Sequence, residues 1–420
     1  MAAEKLKCKE CGSEYPLVAL YVCDRCFGPL EVSYGAPIDA DDVAALRRRI
    51  QAGSGDMWRY ADFLPLAGGA PGPSNHRASR AGVPAGWTPL VRAERLAERL
   101  RLREVWVKND SANPTHSFKD RVVAVASARA RELGFAALAC ASTGNLGNAV
   151  AAQAAALGLP SYVFIPADLE EQKVLATGIY GTNLMTVRGN YDDVNRLCTE
   201  LSAEHDDWAF VNINMRPYYS EGSKTVAFEI VEQLGWELPD RIIVPIASGS
   251  LFTKVHKGFR EWIDLGLVTG REPVMHGAQA TGCAPVANAF AAGQDFCQPV
   301  KPDTIAKSLS IGNPADGPYV LELARRTGGS VDAVSDDQIR AGIALLAETT
   351  GIFTETAGGV TVAVLEELAR RGEIDPDERV VLLITGDGLK TLDAVRGSFR
   401  AREIDPTVDS FDETLARAAA

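Results

Sequence analysis

The chain has 420 residues, 46% hydrophobic and 23% charged, a composition that suits two or three packed domains and excludes global disorder. Its formal net charge of -12 argues against a nucleic-acid binder with a broad basic face. A small anionic ligand stays compatible, since a few local Lys or Arg residues would hold it. The start, MAAEKLKCKE, is charged and lacks the apolar core of a signal peptide. The uncharged stretch over 135–167 is broken by Gly158 and Pro160, so no membrane span is expected and the cytoplasm is the expected location.

In chain order, the first feature is Cys8, Cys11, Cys23 and Cys26, spaced CxxC, eleven residues, CxxC. Four thiolates at this spacing can close a tetrahedral zinc site and hold together a module, 1–35, too small to own a core. Two reduced CxxC pairs without metal are the alternative. Strand-like runs, YPLVALYV and PLEVSY, lie between and after the pairs. Cys140, Cys198, Cys283 and Cys297 are scattered in apolar or helical context and read as small core residues.

The Gly-, Pro- and Ala-rich stretch 65–89 reads as an irregular connector. Strands and helices then alternate. EVWVKN, AALACAS, SYVFIP, NLMTVRG, RIIVPIA, VMHGAQA and RVVLLIT read as strands. Helices are expected over 118–133, 144–157, LFTKVHKGFREW, 336–348 and 360–371. Apolar strands alternating with helices predict an α/β chain with two doubly wound parallel sheets. The smaller is expected within 36–220 and the larger within 221–405, with a surface tail over 406–420.

Four strand-to-helix junctions carry small or polar residues, where ligands of such folds bind. In NPTHSFKD, Lys119 falls in a first helical turn, where the helix dipole disfavours its charge by roughly 0.3–1 kcal/mol. It fits either a solvated surface lysine or a Schiff-base nucleophile. In ASTGNLGNAV, Ser142, Thr143, Gly144 and Asn145 open a helix whose free N–H groups can hold an anion, or are a simple cap. VPIASGSLFTK offers Ser248, Gly249 and Ser250 in a small-residue turn able to approach a phosphate. LLITGDGLK ends a strand in Thr385.

In this order the four motifs resemble the pyridoxal-phosphate enzymes of the tryptophan-synthase β-chain type, fold type II, and more closely the threonine synthase family. GWTPL, EGSKTVAFEI and GIFTETAGG fit the same resemblance, which spans nearly the whole chain. It implies a cofactor site between the two sheet domains. Lys119 would carry the cofactor and move protons on the substrate, and Phe118 would pack beside it. Asn145 would bind its phenolic oxygen, Ser248, Gly249 and Ser250 its phosphate, and Thr385 would face its ring nitrogen. Ser142, Thr143 and Gly144 would clamp the substrate carboxylate. Arg121, Arg216, Ser223 and Lys224 are candidates for the leaving phosphate.

The implied reaction turns O-phospho-L-homoserine and water into L-threonine and phosphate. The implied assembly is a homodimer, with no nucleic-acid or membrane partner. Three positions depart from the family pattern. His116 replaces a usual Gly and is a candidate acid/base or phosphate donor. Leu146 and Gly147 stand where small hydroxyl residues are frequent, and Asp387 where His or Asn is common; Asp387 is expected to point away from the ring. These departures keep two related activities open: a cysteate-synthase-like replacement with phosphoserine and sulfite, and a threonine or serine dehydratase. A non-catalytic α/β scaffold bearing a zinc-ribbon recruitment module is the remaining alternative, and it has no use for Lys119, Asn145 and Thr385 together.

Overall fold

The computed structural model describes residues 3–35, 43–66 and 82–419; the expected connector lies largely outside them. At the N-terminus, β1 (Ala3–Cys8), β2 (Glu14–Tyr15) and β3 (Leu30–Tyr34) form an antiparallel sheet in the order β2-β1-β3. Its apolar residues Leu6, Leu30 and Val32 are buried in the main core of the chain. The module is therefore docked, with its apolar side covered by the body.

Strands β4 (Leu90–Arg92) and β5 (Glu104–Asn109) come next, followed by β6 (Ala137–Ala141), β7 (Ser161–Pro166), β8 (Asn183–Val187) and β9 (Trp208–Phe210). The last four build a parallel sheet in the order β8-β7-β6-β9. Then β10 (Arg241–Pro245), β11 (Val274–Ala280), β12 (Val331–Val334) and β13 (Arg379–Ile384) join β4 and β5. This six-stranded sheet runs β12-β11-β10-β13-β5-β4 and is parallel except at β4. Residues of β6, β11 and most of β10 and β13 are buried without alternation, as strands covered on both faces must be.

The expected α/β architecture is present, but the two sheets do not part at residue 220. β4 and β5 precede the smaller sheet in sequence and belong to the larger one, where Val107 lies opposite Leu382. An apolar run does not name its neighbour; only the register with β13 does. The expected C-terminal surface tail contains a helix, Val408–Ala419, with Val408, Phe411 and Leu415 exposed.

Helices start where strands end, at Lys119–Glu132, Asn145–Leu157 and Ser250–Asp264. A buried ionic cluster ties the first of these to its surroundings. Arg121, fully buried, donates to Asp110 at 2.7 and 2.8 Å and to Glu229 at 2.5 and 2.7 Å. Lys108 on β5 adds a second cation, 2.6 Å from Glu229. Glu229 also accepts from the backbone N–H groups of Trp87 and Thr88, which ties the GWTPL segment to the cluster. Burial pushes the Glu229 carboxyl up, but Arg121 and Lys108 outweigh it and hold it at about 2.

Removing one partner of such a cluster leaves buried charges uncompensated, at a cost of about 3–5 kcal/mol. Arg121→Ala is expected to lower the urea midpoint by that equivalent. The sign for pH follows from the depressed Glu229 value. Its stabilisation is complete above the unfolded carboxyl range and is lost as pH falls toward about 2. Glu229→Gln should therefore flatten the acid limb of a stability-versus-pH curve, measured by urea unfolding between pH 7 and 3.

Candidate active site

A cavity of about 230 Å³ opens between the sheets, lined by Phe118, Lys119, Ser142, Thr143, Asn145, Arg216, Ser223, Ser248, Gly249, Ser250 and Thr385 among others. Residues from all four expected junctions thus meet in one place. Lys119 opens the helix Lys119–Glu132, and its Nζ donates to the Tyr219 hydroxyl at 3.1 Å. Burial lowers the Lys119 ammonium to about 8, with the Glu355 carboxylate pulling the other way. An amine of that kind is partly neutral near physiological pH, the state a nucleophile needs.

Ser142 ends the segment after β6, and its Oγ accepts from the N–H groups of Gly144 at 2.9 Å and Gly147 at 2.7 Å. The hydroxyl oxygen thereby shapes the loop, while its own proton stays available to the cavity. Gly144 has φ +118°, and a Cβ there would meet Lys173 Cδ at 2.2 Å, so only glycine fits. Asn145 donates Nδ2 to Glu355 at 2.8 and 3.0 Å, and its Oδ1 accepts from Lys390 at 3.1 Å. These two partners set which way the amide faces.

The helix Ser250–Asp264 follows Gly249, which has φ +96° and no room for a Cβ beside Val320 and Asp316. Among the described residues no side chain caps this helix, so its first-turn N–H groups are offered to an anion. Across the cavity, Thr385 follows β13, and its carbonyl accepts from the Phe118 N–H at 3.0 Å. Uncapped N–H groups, a glycine that permits close approach and a partly neutral lysine are the donor set that a phosphate-bearing aldehyde cofactor requires.

Other expected residues lie elsewhere. Arg121 and Lys224 do not face the cavity. Arg121 is held in the ionic cluster, and Lys224 is fully buried against Glu221 and Glu261, at 2.7 and 2.9 Å. Neither has a donor left for a leaving phosphate. His116 is exposed, is absent from the cavity lining and adopts φ +61°, the left-handed region that favours glycine. Its side chain lies at the surface, outside the cavity lining. Asp387, expected to point away from the ring, is absent from the cavity lining, and its Oδ1 accepts from the Leu389 N–H at 2.8 Å. Leu146 lines the cavity, whereas a Cβ at Gly147 would press on Val163. The sequence reading missed Glu355, Tyr219 and Lys390. Glu355 and Lys390 stand inside quoted motifs, GIFTETAGG and TGDGLK, but nothing local marks a carboxylate or an amine as buried.

Residues 83–386 match the family model of the pyridoxal-phosphate-dependent enzymes, and the chain belongs to that family. Its curated relatives include a threonine synthase of Methanosarcina acetivorans, 36% identical over 92% of each chain. A threonine synthase of Methanocaldococcus jannaschii is 38% identical over 92% of this chain and 93% of its own. Similarity of this degree and span places the chain among the threonine synthases. Among solved structures, maize serine racemase superposes with a TM-score of 0.60 at 18% identity, over 92% of this chain and 100% of that one. That likeness is one of fold.

Two outcomes follow from the geometry. Attachment of pyridoxal phosphate to the apo-protein should speed up as pH rises through about 8, where Lys119 loses its proton, and not near 10.5. Stopped-flow absorbance checks this, and Lys119→Ala should lose the product that borohydride fixes on the chain. Separately, His116→Gly should leave kcat and KM unchanged, because the side chain lies outside the cavity; steady-state kinetics decide it.

Proposed function

We propose that the chain converts O-phospho-L-homoserine and water to L-threonine and phosphate, with the site roles that follow. The observation that carries the reading is the convergence of Lys119, the uncapped helix start at Ser250, and Thr385 on one cavity in a chain related to threonine synthases. When bound, the cofactor supplies an electron sink for the carbanion that forms at the substrate's carbons.

The protein's own groups do the rest. Lys119 would hold the cofactor, and its amine is the group placed to move protons at the substrate's Cα and Cβ. Tyr219, within hydrogen-bond reach of Lys119 Nζ, orients that amine. Ser248, Gly249 and Ser250 take the cofactor phosphate on first-turn N–H groups. Asn145, held at the cavity by Glu355 and Lys390, would offer the phenolic oxygen one Nδ2 hydrogen while the other stays on the Glu355 carboxylate. Thr385 offers a hydroxyl to the ring nitrogen, and Phe118 packs beside the ring. Ser142 and Thr143 bind the substrate carboxylate at the start of helix Asn145–Leu157.

For the leaving phosphate, Arg216 and Ser223 stay as candidates, because both line the cavity. Burial works against the Arg216 charge, but Asp316 at 2.7 Å outweighs it and raises its pKa, so the guanidinium stays charged beside a dianion. Incubation of cofactor-loaded protein with O-phospho-L-homoserine should release phosphate and threonine in equal amounts. Phosphoserine with sulfite, and free threonine, serve as comparison substrates; turnover of either in place of phosphohomoserine would reject the reading.

The N-terminal thiols form the second part of the proposal. Cys8, Cys11, Cys23 and Cys26 bring their sulfurs within 4.8 Å of one another, with Cys8 and Cys26 3.4 Å apart and Cys11 and Cys23 3.6 Å apart. A tetrahedral ion with Zn–S bonds of about 2.3 Å needs sulfur separations of roughly 3.8 Å, so the set fits structural zinc. Metal analysis of reduced protein should find one zinc per chain. A cytoplasmic location belongs to the same proposal, supported by eight free cysteine thiols, the state a reducing compartment keeps. No described helix is long and apolar enough to cross a membrane. Assembly as a homodimer rests on the family resemblance, and sedimentation measures it.

A further inference from the structure

The module that holds the four cysteines reaches the cavity. Tyr21, from the segment between the two CxxC pairs, lines it together with Lys119, Asn145 and Arg216. Its ring packs against the apolar cluster that includes Ala141 and Ile213, two other lining residues. Tyr21 lies two residues before Cys23, at the base of a small hairpin. Leu30 N–H donates to the Tyr21 carbonyl at 2.9 Å, Cys23 N–H donates to the Gly28 carbonyl at 2.9 Å, and Val22 bridges to Pro29. An ion that draws Cys23 and Cys26 together with Cys8 and Cys11 closes this hairpin, and so fixes the backbone from which Tyr21 projects.

Further contacts join the module to elements that end at the cavity. The Tyr218 hydroxyl donates to the Val18 carbonyl at 2.9 Å, one residue from the Tyr219 that meets Lys119. Tyr319 lies under Lys9 Nζ at 3.5 Å and donates to Glu10. Three residues before it, Asp316 binds Arg216 and donates its N–H to the Ser248 carbonyl at 2.9 Å. Glu31 on β3 pairs with Lys254, in the helix that begins at Ser250.

We propose that the thiolate module is a wall of the active site, in which Tyr21 is a specificity-determining residue on the substrate side and the ion held by Cys8, Cys11, Cys23 and Cys26 sets its position. The choice of substrate in this proposal rests on the threonine synthase reading. Without the closed hairpin, the Tyr21 side of the cavity opens to solvent, and a short phosphorylated amino acid loses an apolar contact that orients its carbon chain. The cofactor, held by Lys119 and the Ser250 helix on other elements, keeps its anchors.

The test uses full-length, cofactor-loaded protein with zinc content and cofactor absorbance measured on every sample. Tyr21→Ala should keep both and raise KM for O-phospho-L-homoserine roughly tenfold, with a smaller change in kcat. Tyr21→Phe should stay close to wild type, because packing and not the hydroxyl carries the effect. Stripping zinc from the wild type with a chelator under reducing conditions should raise KM by a similar factor while the cofactor stays on Lys119. Stripping Tyr21→Ala should add little, since both changes remove the same contact. If Tyr21→Ala loses zinc, Tyr21→Leu, which keeps some apolar bulk for folding but removes the ring that reaches the cavity, should keep the zinc and raise KM in the same direction. Wild-type KM in Tyr21→Ala, or in Tyr21→Leu where that variant replaces it, would overturn the role of Tyr21. Wild-type KM in zinc-free protein, or loss of the cofactor with the zinc, would overturn the coupling. Absence of turnover by the wild type would reject the substrate alone; the same variants would then be compared by the absorbance change on titrating other amino acids.

Discussion

The buried cluster of Arg121, Glu229, Asp110 and Lys108 is the constraint on which the rest of the site depends. It joins the helix Lys119–Glu132, the end of β5, the helix Lys224–Gln233 and the segment at Thr88. Charges this deep are costly to desolvate and hold only when each is paired. Pairing them in one arrangement leaves the first turn of the Lys119 helix a single place to sit. Arg121 is two residues past Lys119, so the clamp that anchors the helix also aims the amine into the cavity. The carboxylates of Asp110 and Glu229 are occupied by this cluster. Lys119 is left with Tyr219 and a more distant Glu355, which do not offset its burial, and its proton becomes easy to lose.

The cavity is built by opposition. One side comes from the smaller sheet, through Ser142, Thr143 and Asn145. The other comes from the larger sheet, through Ser248, Gly249, Ser250 and Thr385. Each side ends in a helix start: among the described residues the N-cap of the Ser250 helix makes no side-chain cap, and in the Asn145 helix the Ser142 hydroxyl takes the Gly147 N–H of the first turn. An uncapped start is a stability cost that a bound anion removes. The pairing of two helix starts across one cleft suits a ligand with a phosphate at one end and a carboxylate near the other. The N-terminal module closes the space further, because Tyr21 and the helices at Lys254 and Tyr319 bring it against the same cleft.

The fold itself does not choose the reaction. Maize serine racemase and an L-serine ammonia-lyase from Rhizomucor miehei share it, at 18% and 23% identity and TM-scores of 0.60 and 0.63. A shared scaffold hosts different chemistries, and selection lies in the residues that reach the substrate. In this chain Arg216, Ser223 and Leu146 line the cavity, together with Tyr21 from the N-terminal module.

Much of this was legible in the amino-acid sequence because it is local. Apolar runs set the strands, glycine and small polar residues mark where helices start, and the four motifs point to residues that the folded chain gathers at one cavity. The CxxC spacing named a thiolate set that the folded chain does bring together. What the sequence could not decide is what lies across space. Arg121 and Lys224 read as available cations, yet burial beside Asp110, Glu229, Glu221 and Glu261 leaves them no donor for a ligand. His116 read as a catalytic neighbour of Lys119, yet a backbone turn at φ +61° puts it outside the cavity. Glu355, Tyr219 and Tyr21 reach the site from about 100 or more residues away. Sequence by itself determined which groups exist and which secondary elements carry them. Only the tertiary structure decided which charges remain free, because that depends on the partner each one meets when water is removed.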